Sequence, residues 1–74
     1  MATVRDSELM LAFGNRIKKL RAEHEMSQYE LADKANIERS SVARIERGTV
    51  NPSLSTMKYL ATAFGLTLSE LVDF

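Results

Sequence analysis

The sequence predicts an all-α domain, a compact bundle of five helices, and three observations carry that prediction. Apolar residues recur at spacings of three and four along most of the chain. No run alternates apolar and polar residues, and no turn dipeptide is flanked by strand-like segments. Two capping boxes, Ser27 with Glu30 and Thr67 with Glu70, mark helix starts.

The elements follow in order. Residues 1–6 carry no strong signal and are expected to be a flexible end, leaving 7–74 as the folded domain. Arg5 is the end's only cation should it reach a partner as an arm. Ser7 with Glu8 can start a first helix, in which Leu9, Phe13, Ile17, Leu20 and His24 form one stripe to about Glu25. Gly14 interrupts it at some cost in helix propensity, and close packing is the expected reason. Met26 precedes the Ser27 cap and is placed to pack back as a staple. The second helix covers Gln28 to Lys34. Asn36, which tolerates a left-handed backbone, stands where the chain must reverse. Ile37 plugs that corner, and the third helix runs from Arg39 to Arg47, with Gly48 ending it. Thr49-Val50-Asn51-Pro52 is a loop. Pro52 or Ser53 opens a fourth helix with its stripe on Leu54, Met57, Leu60, Ala61 and Phe64, and Gly65 closes it. Thr67 starts a short last helix through Leu68, Leu71 and Val72 to Phe74.

Size and composition bound the chemistry. Seventy-four residues make one small domain with a marginal core, so self-association would help it. With no cysteine, neither disulfides nor thiolate metal sites can hold the chain together. No apolar run is long enough for a membrane span or signal-peptide core, and the expectation is a soluble, cytoplasmic protein with no membrane partner. Nothing looks catalytic. Ser40 and Ser41 lack a nearby base, His24 has no second ligand for a metal, and no glycine-rich loop cradles a phosphate cofactor. No enzyme activity and no cofactor are expected.

The segment from Gln28 to Arg47 has the plan of a helix-turn-helix, whose second helix enters the DNA major groove. On that helix Val42 and Ile45 share the buried side. Ser40, Ala43, Arg44 and Arg47 lie roughly opposite, with Arg39 on the flank. An arginine can hold guanine O6 and N7 with two hydrogen bonds, whereas a solvated basic face is the plain alternative. The net charge of zero, ten basic against ten acidic residues, speaks for weak non-specific DNA binding. The charges are segregated, however. Arg16, Lys18, Lys19 and Arg21 form one basic cluster and Lys34, Arg39, Arg44 and Arg47 another, and the field at a docking face is local.

Taken together and in order, R-I-K-K-L-R, S-Q-x-E-L-A, I-E-R-G, N-P-S-L and A-x-A-F-G-L-T-L-S-E-L resemble the Xre/Cro, lambda-repressor-like DNA-binding domain, over about four fifths of the chain. The resemblance implies roles at matching positions. Arg39, Ser40 and Arg44 would face base edges. Gln28 would bond a phosphate and brace the base-reading side chains, and residues from Arg47 to Asn51 would meet the DNA backbone. Arg21 and Glu46 would form a partly buried ion pair between the first and third helices. Tyr29, beside Gln28, is a further candidate for a phosphate hydrogen bond. Two positions depart from the family pattern: Asn36 replaces the usual turn glycine, and Glu38 stands where Ser, Thr or Asp often caps. For Glu38 a capping or dipole role is favoured over contact with a cytosine amino group.

The functional expectation is a transcriptional regulator, a repressor or autoregulator, that binds a double-stranded operator of two half-sites as a homodimer. Leu68, Leu71, Val72 and Phe74 are the candidate dimer contacts, although for Leu68 and Leu71 the monomer's own core is the favoured role. The rival reading is an antitoxin or controller-type module whose main partner is a protein, such as a toxin or RNA polymerase, with DNA binding secondary.

Overall fold

A computed structural model describes residues 4–74, with side chains from Asp6 onward. Residues 1–3 and the Arg5 side chain lie outside the described part, and with them the proposed arm. The described residues form five helices and no strand: α1 Val4–Glu23, α2 Gln28–Ala35, α3 Arg39–Arg47, α4 Leu54–Ala63 and α5 Leu68–Leu71. Helix α1 begins ahead of the expected Ser7 cap, so Ser7 lies inside it. It also ends earlier than Glu25, which instead takes a left-handed conformation (φ 53°). Glycine is absent there, and the turn rests on the Met26 N–H donating to the Arg21 carbonyl (2.9 Å).

Local chemistry accounts for each boundary. Both capping boxes are complete: Ser27 Oγ accepts from the Glu30 N–H and Glu30 accepts from the Ser27 N–H, and Thr67 and Glu70 do the same. Ser53 alone caps α4, accepting from the Thr56 N–H at 3.1 Å. Asn36 is left-handed (φ 57°), as the reversal requires, and Gly48 (φ 72°) ends α3 with its N–H on the Arg44 and Ile45 carbonyls. Helix α5 stops at Leu71, one turn long, and does not run to Phe74.

The core lies where α1, α2, α3 and α4 meet. Ile17, Leu31, Val42 and Leu60 are wholly buried, with Phe13, Ile45 and Phe64 around them. Three expected stripe residues are outside it: Leu9 and Leu54, in the early turns of α1 and α4, are mostly exposed, and His24, past the end of α1, is exposed too. Leu71 is fully buried and Leu68 half-buried against the core, the role favoured for both, and Leu71 is thereby removed from the dimer candidates.

Arg16, a member of the first basic cluster, has a defined task. Its Nε donates to the Leu71 carbonyl (3.1 Å) and its Nη2 to the Glu70 carbonyl (2.8 Å), so α1 caps the end of α5. His24 closes the end of α1: its Nδ1 lies 2.9 Å from the Leu20 carbonyl and its ring rests against Phe64 at 5.1 Å.

Candidate nucleic-acid interface

Helix α3 presents the site because its other side is anchored. Val42 and Ile45 sink into the core, and Gly14 lets the α1 backbone approach the last turn of α3. The opposite face is left to solvent. There Arg39, Ser40, Ala43, Arg44 and Arg47 line one open cleft, and Gln28 closes its side from the first turn of α2. Three guanidinium groups share it. Of the sequence-predicted residues, five are thus brought together: Arg39, Ser40, Arg44, Gln28 and Arg47.

Asn51 sits beside the cleft, not in it. It shares a neighbouring depression with Ser41, Arg44, Pro52 and Thr56, so Arg44 borders both. Tyr29 stands 70% exposed on the α2 side and is not among the cleft's lining residues. Glu38 occupies the N-cap of α3 with an extended backbone, yet its side chain makes no cap hydrogen bond. Its Oε2 instead accepts from the Ser40 hydroxyl at 3.3 Å. The capping expectation for Glu38 is corrected accordingly: the carboxylate still favours the helix dipole, but its hydrogen bond goes to the side chain of Ser40.

Beneath the cleft, Arg21 and Glu46 form a bidentate pair, with Nε to Oε2 at 2.7 Å and Nη2 to Oε1 at 2.9 Å. Arg21 Nη1 also donates to the Met26 carbonyl at 2.9 Å, joining α3 to the α1–α2 turn. Glu46 is the one charged residue buried among the described residues. Its Oε1 accepts once more, from Gln28 Nε2 at 3.0 Å. That third contact is invisible to sequence patterning, since it joins residues on two helices whose crossing must first be known. Burial works against the Glu46 charge, but the hydrogen bonds from Arg21 and Gln28 prevail and hold its carboxyl below the usual range. The partner shift agrees: the Glu46 hydrogen bond raises Arg21.

A depressed carboxyl contributes stability that is present above its unfolded pKa, about 4.3, and lost as pH falls through the folded value. Glu30 and Glu70 are lowered too, by backbone hydrogen bonds from Ser27 and Thr67, and act in the same direction. The melting midpoint is therefore expected to be level above about pH 5 and to decline below about pH 4, with Glu46→Gln flattening part of that decline. Calorimetry across that range checks it, and a midpoint that rises on acidification would contradict it.

A helix-turn-helix family profile matches residues 17–71. The chain belongs to the helix-turn-helix family. It is 47% identical over 62 residues to the immunity repressor protein of Bacillus phage phi105, covering 84% of this chain and 43% of that protein. It is 36% identical over 66 residues to control protein C.MunI of Mycoplasma sp, covering 88% of this chain and 89% of that one. Among solved structures, the restriction-modification controller protein C.AhdI from Aeromonas hydrophila superposes with a TM-score of 0.81 at 39% identity, over 84% of this chain and 94% of that chain. The chain thus spans less than half of the phage repressor but most of the control proteins. For this helix-turn-helix chain, Arg39 opens the second helix of the motif, and the cleft lies on that helix's outward face.

Proposed function

We propose that this chain is a sequence-specific, DNA-binding transcriptional regulator that occupies a two-half-site operator as a homodimer. It acts by binding, not catalysis, and works in the compartment that holds its DNA, the cytoplasm. The observation that carries the reading is the arginine-lined cleft on a helix whose other face is locked in the core. Arg39, Ser40 and Arg44 read base edges in the major groove; Gln28, Tyr29, Arg47 and Asn51 meet the phosphates alongside. The net charge of zero leaves non-specific binding weak, so discrimination rests on those few contacts.

Dimerisation follows from size. A single module covers too little DNA for strong specificity, and half-sites lie about 34–36 Å apart on one face of the duplex. The domain measures 31 × 24 × 21 Å, small enough for one copy to sit on each of two half-sites at that separation. Val72 and Phe74 are the remaining dimer contacts of those expected from sequence. Both are exposed, and they line one apolar groove with Leu9, Met10, Phe13 and Met57. The sign of regulation favoured is repression or autoregulation, in keeping with similarity to a repressor and to control proteins.

Titration against the duplex upstream of the protein's own gene, with excess competitor and at two salt concentrations, tests the reading. Cooperative, competitor-resistant binding is expected, with sedimentation reporting a dimer on the duplex. Arg44→Ala is expected to cost about 1–3 kcal/mol in specific binding and to relax preference at one base position. An Arg44→Ala protein that discriminates among operator variants as the wild type does would refute that assignment. Binding that competitor abolishes at every candidate operator would favour the rival, a module whose main partner is a protein such as a toxin or RNA polymerase.

A further inference from the structure

We propose that Glu46 is a positioning residue for DNA reading: it fixes the Gln28 amide so that its carbonyl end is the one offered to the arginines of the cleft. This rests on the DNA-binding reading above. A glutamine side chain has a donor end and an acceptor end of nearly the same shape, and only its surroundings decide which way it faces. Here the decision is forced. Glu46 Oε1 lies 3.0 Å from Gln28 Nε2, and an ionised carboxylate can only accept, so the NH₂ must face it. The reverse orientation would set the amide oxygen against a carboxylate oxygen.

Glu46 cannot turn away from this task. It is 4% exposed, and both its oxygens are held by Arg21 from α1. The arrangement is a relay of fixed groups: Arg21 orients Glu46, and Glu46 orients Gln28. The end of Gln28 left over is an acceptor, and the cleft that it borders contains Arg39, Arg44 and Arg47, which are donors only. A guanidinium that donates one N–H to the Gln28 carbonyl keeps its remaining forked donors in a fixed plane, the condition for two parallel bonds to guanine O6 and N7. One Nε2 proton remains for a phosphate oxygen. Gln28 therefore serves both the backbone and, through an arginine, the bases, and Glu46 sets the hand of that arrangement from beneath the surface.

Two measurements test it. In the free protein, the Gln28 side-chain NH₂ is expected to show one proton slowed in exchange relative to the exposed amide of Asn51, and Glu46→Gln is expected to abolish the difference. A Gln28 amide that exchanges as fast as Asn51 in the wild type overturns the proposal, whatever the DNA result. In operator titrations run well below each variant's melting midpoint, Gln28→Met and Glu46→Gln are each expected to weaken specific binding about tenfold and to flatten preference at guanine positions. The double variant should be no weaker than either single one, because both remove the same device. Where Glu46→Gln does not fold, Glu46→Asp keeps the charge beside Arg21 while drawing it back from Gln28, and the same losses are expected. A folded Glu46 variant with wild-type base preference, or losses that add in the double variant, would overturn the positioning role. A wild-type protein that prefers no duplex overturns the DNA reading instead, and the exchange measurement still decides whether Glu46 holds the amide.

Discussion

Val42→Asp is expected to leave no cooperatively folded domain at neutral pH. Val42 is 0% exposed, at the point where α3 enters the core. An aspartate there either ionises without a partner or stays protonated at pH 7. Holding it protonated means a pKa raised by about 3–4 units, which corresponds to about 4–5 kcal/mol. Loss of the valine's own burial adds about 1.5–2 kcal/mol. A single core in a domain of this size supplies about 3–5 kcal/mol, so the substitution exceeds what is there to lose. Circular dichroism should show reduced helicity and no sigmoidal melt. A cooperative transition within about 10 °C of wild type would mean that α3 can slide outward to hydrate the carboxylate, and that the core is less closed than its geometry indicates.

Val42 was legible in the sequence because two signals agreed on it. Ile45, three residues on, shares its side of the helix, and Ser40, Ala43, Arg44 and Arg47 lie roughly opposite. The same agreement made the helix starts legible. At Ser27 and Thr67 the cap residue and the glutamate three positions later satisfy each other's backbone donors, a local arrangement that needs no tertiary information. Asn36 was readable for a related reason, since few side chains accept the left-handed turn found there. Glu25 was not. It adopts the same conformation with a side chain that gives no such hint, because hydrogen bonds between Met26 and Arg21, through backbone and side chain, hold the turn instead.

Periodicity, likewise, tells which side of a helix is apolar but not where the neighbouring helix ends. Leu9 and Leu54 belong to their stripes by spacing, yet both are mostly exposed. The cleft shows the same division. Its α3 side chains could be placed on one face from their spacing alone, and family resemblance supplied the pairing of Arg21 with Glu46. The bond from Gln28 to Glu46, the grip of Arg16 on the end of α5 and the diversion of Glu38 to Ser40 all depend on side-chain reach across elements. None leaves a mark in the spacing of residues. Long polar side chains can be assigned to solvent or to a partner with equal ease until the packing is known.

Gly14 joins fold and site most directly, and Gly14→Ala should damage both. In the interior of a solvated helix this change would be stabilising, by about 1 kcal/mol. Here a Cβ would collide with the Ile45 carbonyl oxygen and lie 2.9 Å from that of Glu46. Both are backbone atoms, so no rotamer relieves the contact, and α1 must move away from α3. Overpacking of this kind costs about 1–3 kcal/mol and occasionally more, which outweighs the gain in propensity. A net loss of about 1–2 kcal/mol corresponds to a melting midpoint lower by about 4–16 °C. The shift also separates Arg21 on α1 from Glu46 on α3, and through Glu46 it reaches Gln28 at the edge of the cleft. Operator affinity is therefore expected to fall even at temperatures where the variant is fully folded. Gly65→Ala supplies the contrast. Nothing lies within 4 Å of a Cβ there, but φ is +71°, so the variant should lose stability through backbone strain alone and keep its DNA affinity. If Gly14→Ala melted at or above the wild-type temperature, the two helices would have room between them, and the rigid seating of α3 on which the site depends would be wrong.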